Sequence, residues 1–179
     1  MDDLLFSGRS LWTMAHGVAL GGGGLLAIGA ALFAMLVLRP VSGEDVRDDQ
    51  ARLLGWLLVA IPILLWLAVI VGTYIIFGPY RATPPEGLAD LSQYPRALIR
   101  SDPGSAWLHS FGMEIKEHVP FIAAMLSTAV AFVGWRFRSR ILTDAHLRRA
   151  SVTLLSICFA LVAAVSLLGV FINKVAPLE

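Results

Sequence analysis

His16, Glu114 and His118 are the residues of this chain whose types and placement suit chemistry within or at the edge of an apolar phase. Ionisable side chains in such places are costly unless something pairs with them, so they mark functional positions. Around the last two the chain reads SAWLHSFGMEIKEHVPF, from Ser105 to Phe121, with Trp107, Leu108, Phe111, Ile115 and Val119 at helical spacing. At 100° per residue His118 falls within about 20° of Trp107 and Phe111, and Glu114 borders that face one turn earlier. His109, Lys116 and Glu117 fall on the other side. The pattern predicts that His118 points inward and His109 toward water.

Imidazole is a common haem ligand, and helix bundles build cofactor sites from facing side chains. In the first apolar run His16 stands above Leu20, Gly23, Ala27, Ala30 and Ala34 on one helical face, a stripe small enough to admit a flat ring or a close neighbouring helix. One reading is therefore a haem b near one membrane surface. His16 and His118 would be its iron ligands, Gly23, Ala27 and Glu114 would lie against it, and a quinone or quinol would exchange electrons with it. Counted from Arg39 and Arg136, His16 lies 23 residues out and His118 lies 18. That offset corresponds to about 7.5 Å of helix, and Met113 and Glu114 match His16 in depth more closely.

A second reading, from a different class, is a non-catalytic structural or assembly subunit of a larger respiratory or photosynthetic membrane complex. The glycine and alanine stripes would then be contact surfaces. A third is a metal or proton site formed by His16, Glu114 and His118. Glu114 and His118 stand at i and i+4, but this is not the Glu-x-x-His spacing of di-iron bundles, and EIKEH lacks the first histidine of a zinc-protease motif.

What must position these residues is a membrane scaffold. The 179 residues are 57% hydrophobic and 15% charged, and a mean hydropathy of +0.74 is too high for a soluble domain of this size. Four runs approach spanning length, at 11–38, 53–77, 116–135 and 150–172. In lipid such runs satisfy their backbones only as helices. The expected fold is an all-α integral membrane protein: a four-transmembrane-helix bundle in a single membrane domain, with an extracytoplasmic loop and a juxtamembrane helix between helices 2 and 3. The outer connection, 78–119, is rich in proline and glycine, with a turn of helix expected near Ala89 and another near Ala97. Pro120 either opens the third span or marks an elbow between it and a surface helix over 105–118.

Eight arginines sit in the short connections Arg39–Arg52 and Arg136–Arg149, and the other six basic residues are spread over the termini and the long connection. By the positive-inside rule the short connections are cytoplasmic and both termini extracytoplasmic, in the cell's inner membrane. The start MDDLLF is acidic where a secretory leader would be basic, which predicts that the first run is retained. The expected partners are the lipid bilayer, other membrane subunits and an extracytoplasmic redox partner. A net charge of +1 gives no reason to expect nucleic acid. Arg81, Arg96 and Arg100 in the long connection read either as solvated surface or as a site for lipid phosphates, haem propionates or an acidic partner face. Cys158, alone in mid-span, reads as a small apolar residue.

Span count and histidine placement are similar to those of four-helix membrane cytochrome b subunits. Many such subunits pair histidines at both membrane faces, whereas this chain offers one pair at one face.

Overall fold

A computed structural model describes residues 7–37 and 48–177. In order these form α1 (Gly8–Val37), α2 (Asp48–Arg81), the short α3 (Pro95–Ser101), α4 (Leu108–Arg136), the short α5 (Arg138–Thr143) and α6 (Ala145–Val175). No strand occurs among the described residues. The four long helices contain 30, 34, 29 and 31 residues. At 1.5 Å per residue each is roughly 45 Å long, matching a bilayer together with its headgroup zones. The protein is thus all-helical, with four helices long and apolar enough to cross a membrane. Leu26, Phe33, Leu53, Phe132 and Val170 remain exposed on their outer faces, as lipid contact requires. Leu38 and the first short turn, from Arg39 to Arg47, lie outside the described residues.

Each long helix runs past the apolar stretch that marks it in the sequence. The third begins at Leu108 and passes through Pro120 without a break, so there is no elbow at His118 and residues 108–118 belong to the spanning helix itself. The donor that Pro120 lacks would have served the Lys116 carbonyl one turn back, and tertiary neighbours make that loss tolerable in membrane helices. Between α2 and α4 only Pro95–Ser101 is helical, covering Ala97 but not Ala89. The Arg9 Nη1 group donates to Gln93 Oε1 at 3.1 Å, tying the start of α1 to this connection.

Small residues let the helices approach. A Cβ built on Gly134 of α4 would collide with the Leu58 side chain of α2, and one on Gly24 of α1 would stand 2.9 Å from Leu65 Cδ2. Cys158 fills the same role on α6, its Sγ 3.6 Å from the Ala123 carbonyl. Trp66 Nε1 donates to Thr128 Oγ1 at 3.1 Å, which ties α2 to α4 where lipid offers no competing acceptor.

Buried apolar residues form two clusters. The larger joins all four long helices and α5 through Ile28, Met35, Leu58, Ile61, Val130, Ile141 and Leu155. The smaller lies at the end nearest the long connection and gathers Tyr80, Ile99, Leu108, Met113, Ile172 and Ala176. Between them three of the four long helices widen into π-helix, at Ala15–Gly22, Gly72–Ile76 and Leu108–Met113. A π-turn inserts about one extra residue and so rotates the next turns of the helix by about 100°. In α1 the buried stripe is accordingly Gly24, Ile28, Ala31 and Met35. Gly23, Ala27, Ala30 and Ala34, aligned under His16 by simple periodicity, are one residue away from it. The groove expected beneath His16 is therefore filled by Ile28 and Met35, and Gly23 and Ala27 are only half-buried.

Candidate functional site

The space between the two clusters is a cavity of about 700 Å³, bounded by all four long helices. Leu65, Ala123 and Val162 line it toward the larger cluster; Tyr80, Met113 and Ile172 line it toward the smaller. All three π-helical segments contribute to its wall, through His16 and Gly21, through Gly72 and Thr73, and through Met113. π-Turns recur at functional sites because they aim side chains that a regular helix would turn away.

His16 enters this cavity from α1. Gly72 makes room for it: a Cβ there would stand 2.9 Å from His16 Cε1 and 3.5 Å from Nε2. Its buried Nδ1 has no hydrogen-bond partner among the described residues. In the tautomer that carries its proton on Nε2, Nδ1 is an acceptor.

Lys116 enters from α4. Its Nζ would meet a Cβ on Gly169 of α6 at 3.1 Å, so the ammonium lies between helices and is half-buried. Among the described residues it has neither an ion-pair nor a hydrogen-bond partner. It lies close enough to His16 for the two to interact electrostatically. Ser166 on the adjoining stretch of α6 adds a hydroxyl near Gly21.

Comparison with known protein families, curated proteins and solved structures finds no match. The functional reading therefore rests on this arrangement.

The inward placement of His118 is corrected by the structure. His118 and Glu114 share the face that periodicity assigns them, but that face looks out: their side chains are 72% and 68% exposed. His118 Nδ1 donates to the Glu114 carbonyl at 2.8 Å and lies 3.9 Å from Glu114 Oε2, with the residue at the margin of the cavity. Trp107 and Phe111 are exposed beside it. His109, expected in water, is half-buried with Nδ1 3.0 Å from the Tyr80 hydroxyl.

Trp107, Phe111, Glu114 and His118 thus lie outward and His109 and Lys116 inward, while Leu108 stays buried and Glu117 exposed. In a bilayer the surroundings are as apolar as leucine, so an apolar face has no reason to turn inward, and small and polar residues take the interior instead. The missed residue is Lys116. Its signal was its register with Gly112, Ala123, Ser127 and Gly134, all buried on α4 or its π-helical start.

His16 and His118 both border the cavity, and no group of three or more His, Cys, Asp or Glu side chains suited to a metal ion occurs among the described residues. Met113, the depth match to His16, is buried and lines the cavity with it.

Proposed function

We propose that the chain is a membrane-embedded electron-transfer subunit whose cavity takes a quinol or quinone. One observation carries this reading: His16, whose buried Nδ1 has no hydrogen-bond partner, and Lys116 both line one largely apolar space. Buried polar groups are almost always satisfied, so one left open points to a ligand that satisfies it. A quinol ring is apolar and flat, with an oxygen at each end. One hydroxyl donates to His16 Nδ1, and the opposite oxygen accepts from Lys116. Oxidation to quinone releases two electrons and two protons. His16 Nδ1 accepts the first proton, Lys116 offsets the negative charge that develops on the other oxygen, and the second proton passes to water where exposed Glu117 and His118 line the cavity. The electrons pass to a metal centre of a redox partner or to a haem.

A haem b in the same cavity is the second reading, supported by the inward imidazole of His16 and the thioether of Met113 beside it. Ligation by His16 and His118 requires the His118 ring to leave the Glu114 carbonyl and turn inward. The structural or assembly role becomes the preferred reading if neither cofactor binds.

The arginine distribution supports an arrangement with the 136–149 turn cytoplasmic and both termini and the long connection extracytoplasmic in the cell membrane, which places the cavity near the outer surface. Cysteine labelling tests this: Ser92→Cys should react with an impermeant reagent from outside and Ser139→Cys should not, and the reverse result inverts the topology.

The functional test is titration of the detergent-solubilised protein with a short-chain ubiquinone analogue, read by quenching of tryptophan fluorescence. Saturable quenching in the wild type that is lost in both His16→Ala and Lys116→Met supports the proposal. Quenching that never saturates, or that survives both substitutions, overturns it.

A further inference from the structure

A second concave site lies outside the bundle, at the membrane-facing start of the long connection. Arg81 ends α2, while Arg96 and Arg100 stand one turn apart on α3. Together with Thr83 and Ser101 they border a cleft of about 420 Å³ that no carboxylate lines. None of the three arginines has an ion-pair partner among the described residues. The Arg81 guanidinium is held over the Phe77 ring, 5.1 Å from its centroid, which fixes its plane without consuming its donors. Three cations brought to one cleft repel one another, and the lining of the cleft supplies no anion to offset them.

Guanidinium forks match phosphate oxygens in geometry and charge, and several together make a phosphate site. Depth identifies the source of the phosphate. Arg81 is the last residue of a membrane-length helix, and at the same end of the bundle Trp107 and Phe111 are exposed around the start of α4. Aromatic side chains in that position mark the headgroup level of a bilayer. A phosphate met there is that of a lipid. We infer that the Arg81–Arg96–Arg100 cleft binds the phosphate of an anionic phospholipid headgroup. This site is separate from the cavity and does not depend on what the cavity holds.

The test measures the thermal unfolding midpoint of the purified protein in neutral detergent. Phosphatidylglycerol, phosphatidylcholine or inorganic phosphate is titrated in separate arms. Phosphatidylglycerol should raise the midpoint saturably, with phosphatidylcholine much weaker. Replacing Arg96 and Arg100 by glutamine should weaken the apparent affinity about fivefold per arginine. Arg136→Gln, at the other end of the bundle, should leave it unchanged. Arg100→Gln alone is exposed and carries the test if the double variant does not fold. A response to inorganic phosphate without preference for phosphatidylglycerol overturns the lipid assignment in favour of a soluble phosphate. A phosphatidylglycerol response that survives the arginine substitutions, or none at all, overturns the cleft.

Discussion

Gly72 of α2 and His16 of α1 are in such close contact that a Cβ on Gly72 would stand 2.9 Å from His16 Cε1. The glycine is therefore the floor under the imidazole, and any side chain there must displace the ring. The ring is the end of a side chain, so it yields without breaking the helix contact. Gly72→Ala should leave the protein folded yet weaken quinone-analogue binding about tenfold, because a hydrogen bond to the displaced Nδ1 is worth about 1–1.5 kcal/mol. Gly29→Ala is the control, since nothing lies within 4 Å of a Cβ there. Binding should be unchanged in that variant, with helix stability rising slightly.

Lys116 separates a ligand-binding role from a structural one. A cation left without a partner between helices costs stability, and an apolar residue of similar length removes that cost. Lys116→Met should stabilise the ligand-free protein by about 1–3 kcal/mol while abolishing the response to the quinone analogue. Thermal unfolding with and without the analogue reads both effects. A variant that is less stable and still binds would show that Lys116 serves packing.

The four spans were legible because length and apolar composition alone decide whether a helix crosses a membrane. Helix ends were not, since helices continue through the polar headgroup zone where hydropathy falls, as α2 does to Arg81 and α4 from Leu108. His16 was found because a histidine in an apolar run is conspicuous. The groove beneath it was misplaced because the π-helix over Ala15–Gly22 breaks the 3.6-residue period of a regular helix. His118 and Lys116 were assigned to opposite sides by a rule for proteins in water, where apolar faces turn inward. The buried stripe of Gly112, Ala123, Ser127 and Gly134 gives the membrane version of that rule.

At the arginine-rich end, Asp144 caps α6 by accepting from the backbone N–H groups of His146 at 2.9 Å and Leu147 at 3.1 Å. The Leu147 and His146 bonds hold its carboxyl below the ordinary aspartate value of 3.8. A carboxylate with a depressed folded pKa contributes its full stability above the unfolded value and loses it as the pH falls through the folded one. The cap should therefore be intact at neutral pH and lost only below 3.8. Asp144→Ala should lower the thermal midpoint at pH 7, and the gap to the wild type should close as the medium is acidified past that point. Asp144→Asn, an uncharged cap, should show little pH dependence of its own.

An absorption spectrum decides whether haem occupies the cavity, and point variants decide which side chains would ligate it. His16 is the histidine of α1 that lines the cavity, so His16→Ala should abolish any low-spin spectrum. The second ligand separates two geometries. If Met113 supplies it, Met113→Leu should convert the spectrum to high spin, and His118→Ala should leave it unchanged, because the His118 ring is outside and bonded to the Glu114 carbonyl. If His118 turns inward on haem binding, the two variants exchange their effects. His109→Ala should alter neither, since that ring is engaged by the Tyr80 hydroxyl at 3.0 Å. A protein that shows no Soret band after haem reconstitution, yet quenches saturably with the quinone analogue, leaves quinol as the cavity's occupant and a partner as the electron acceptor.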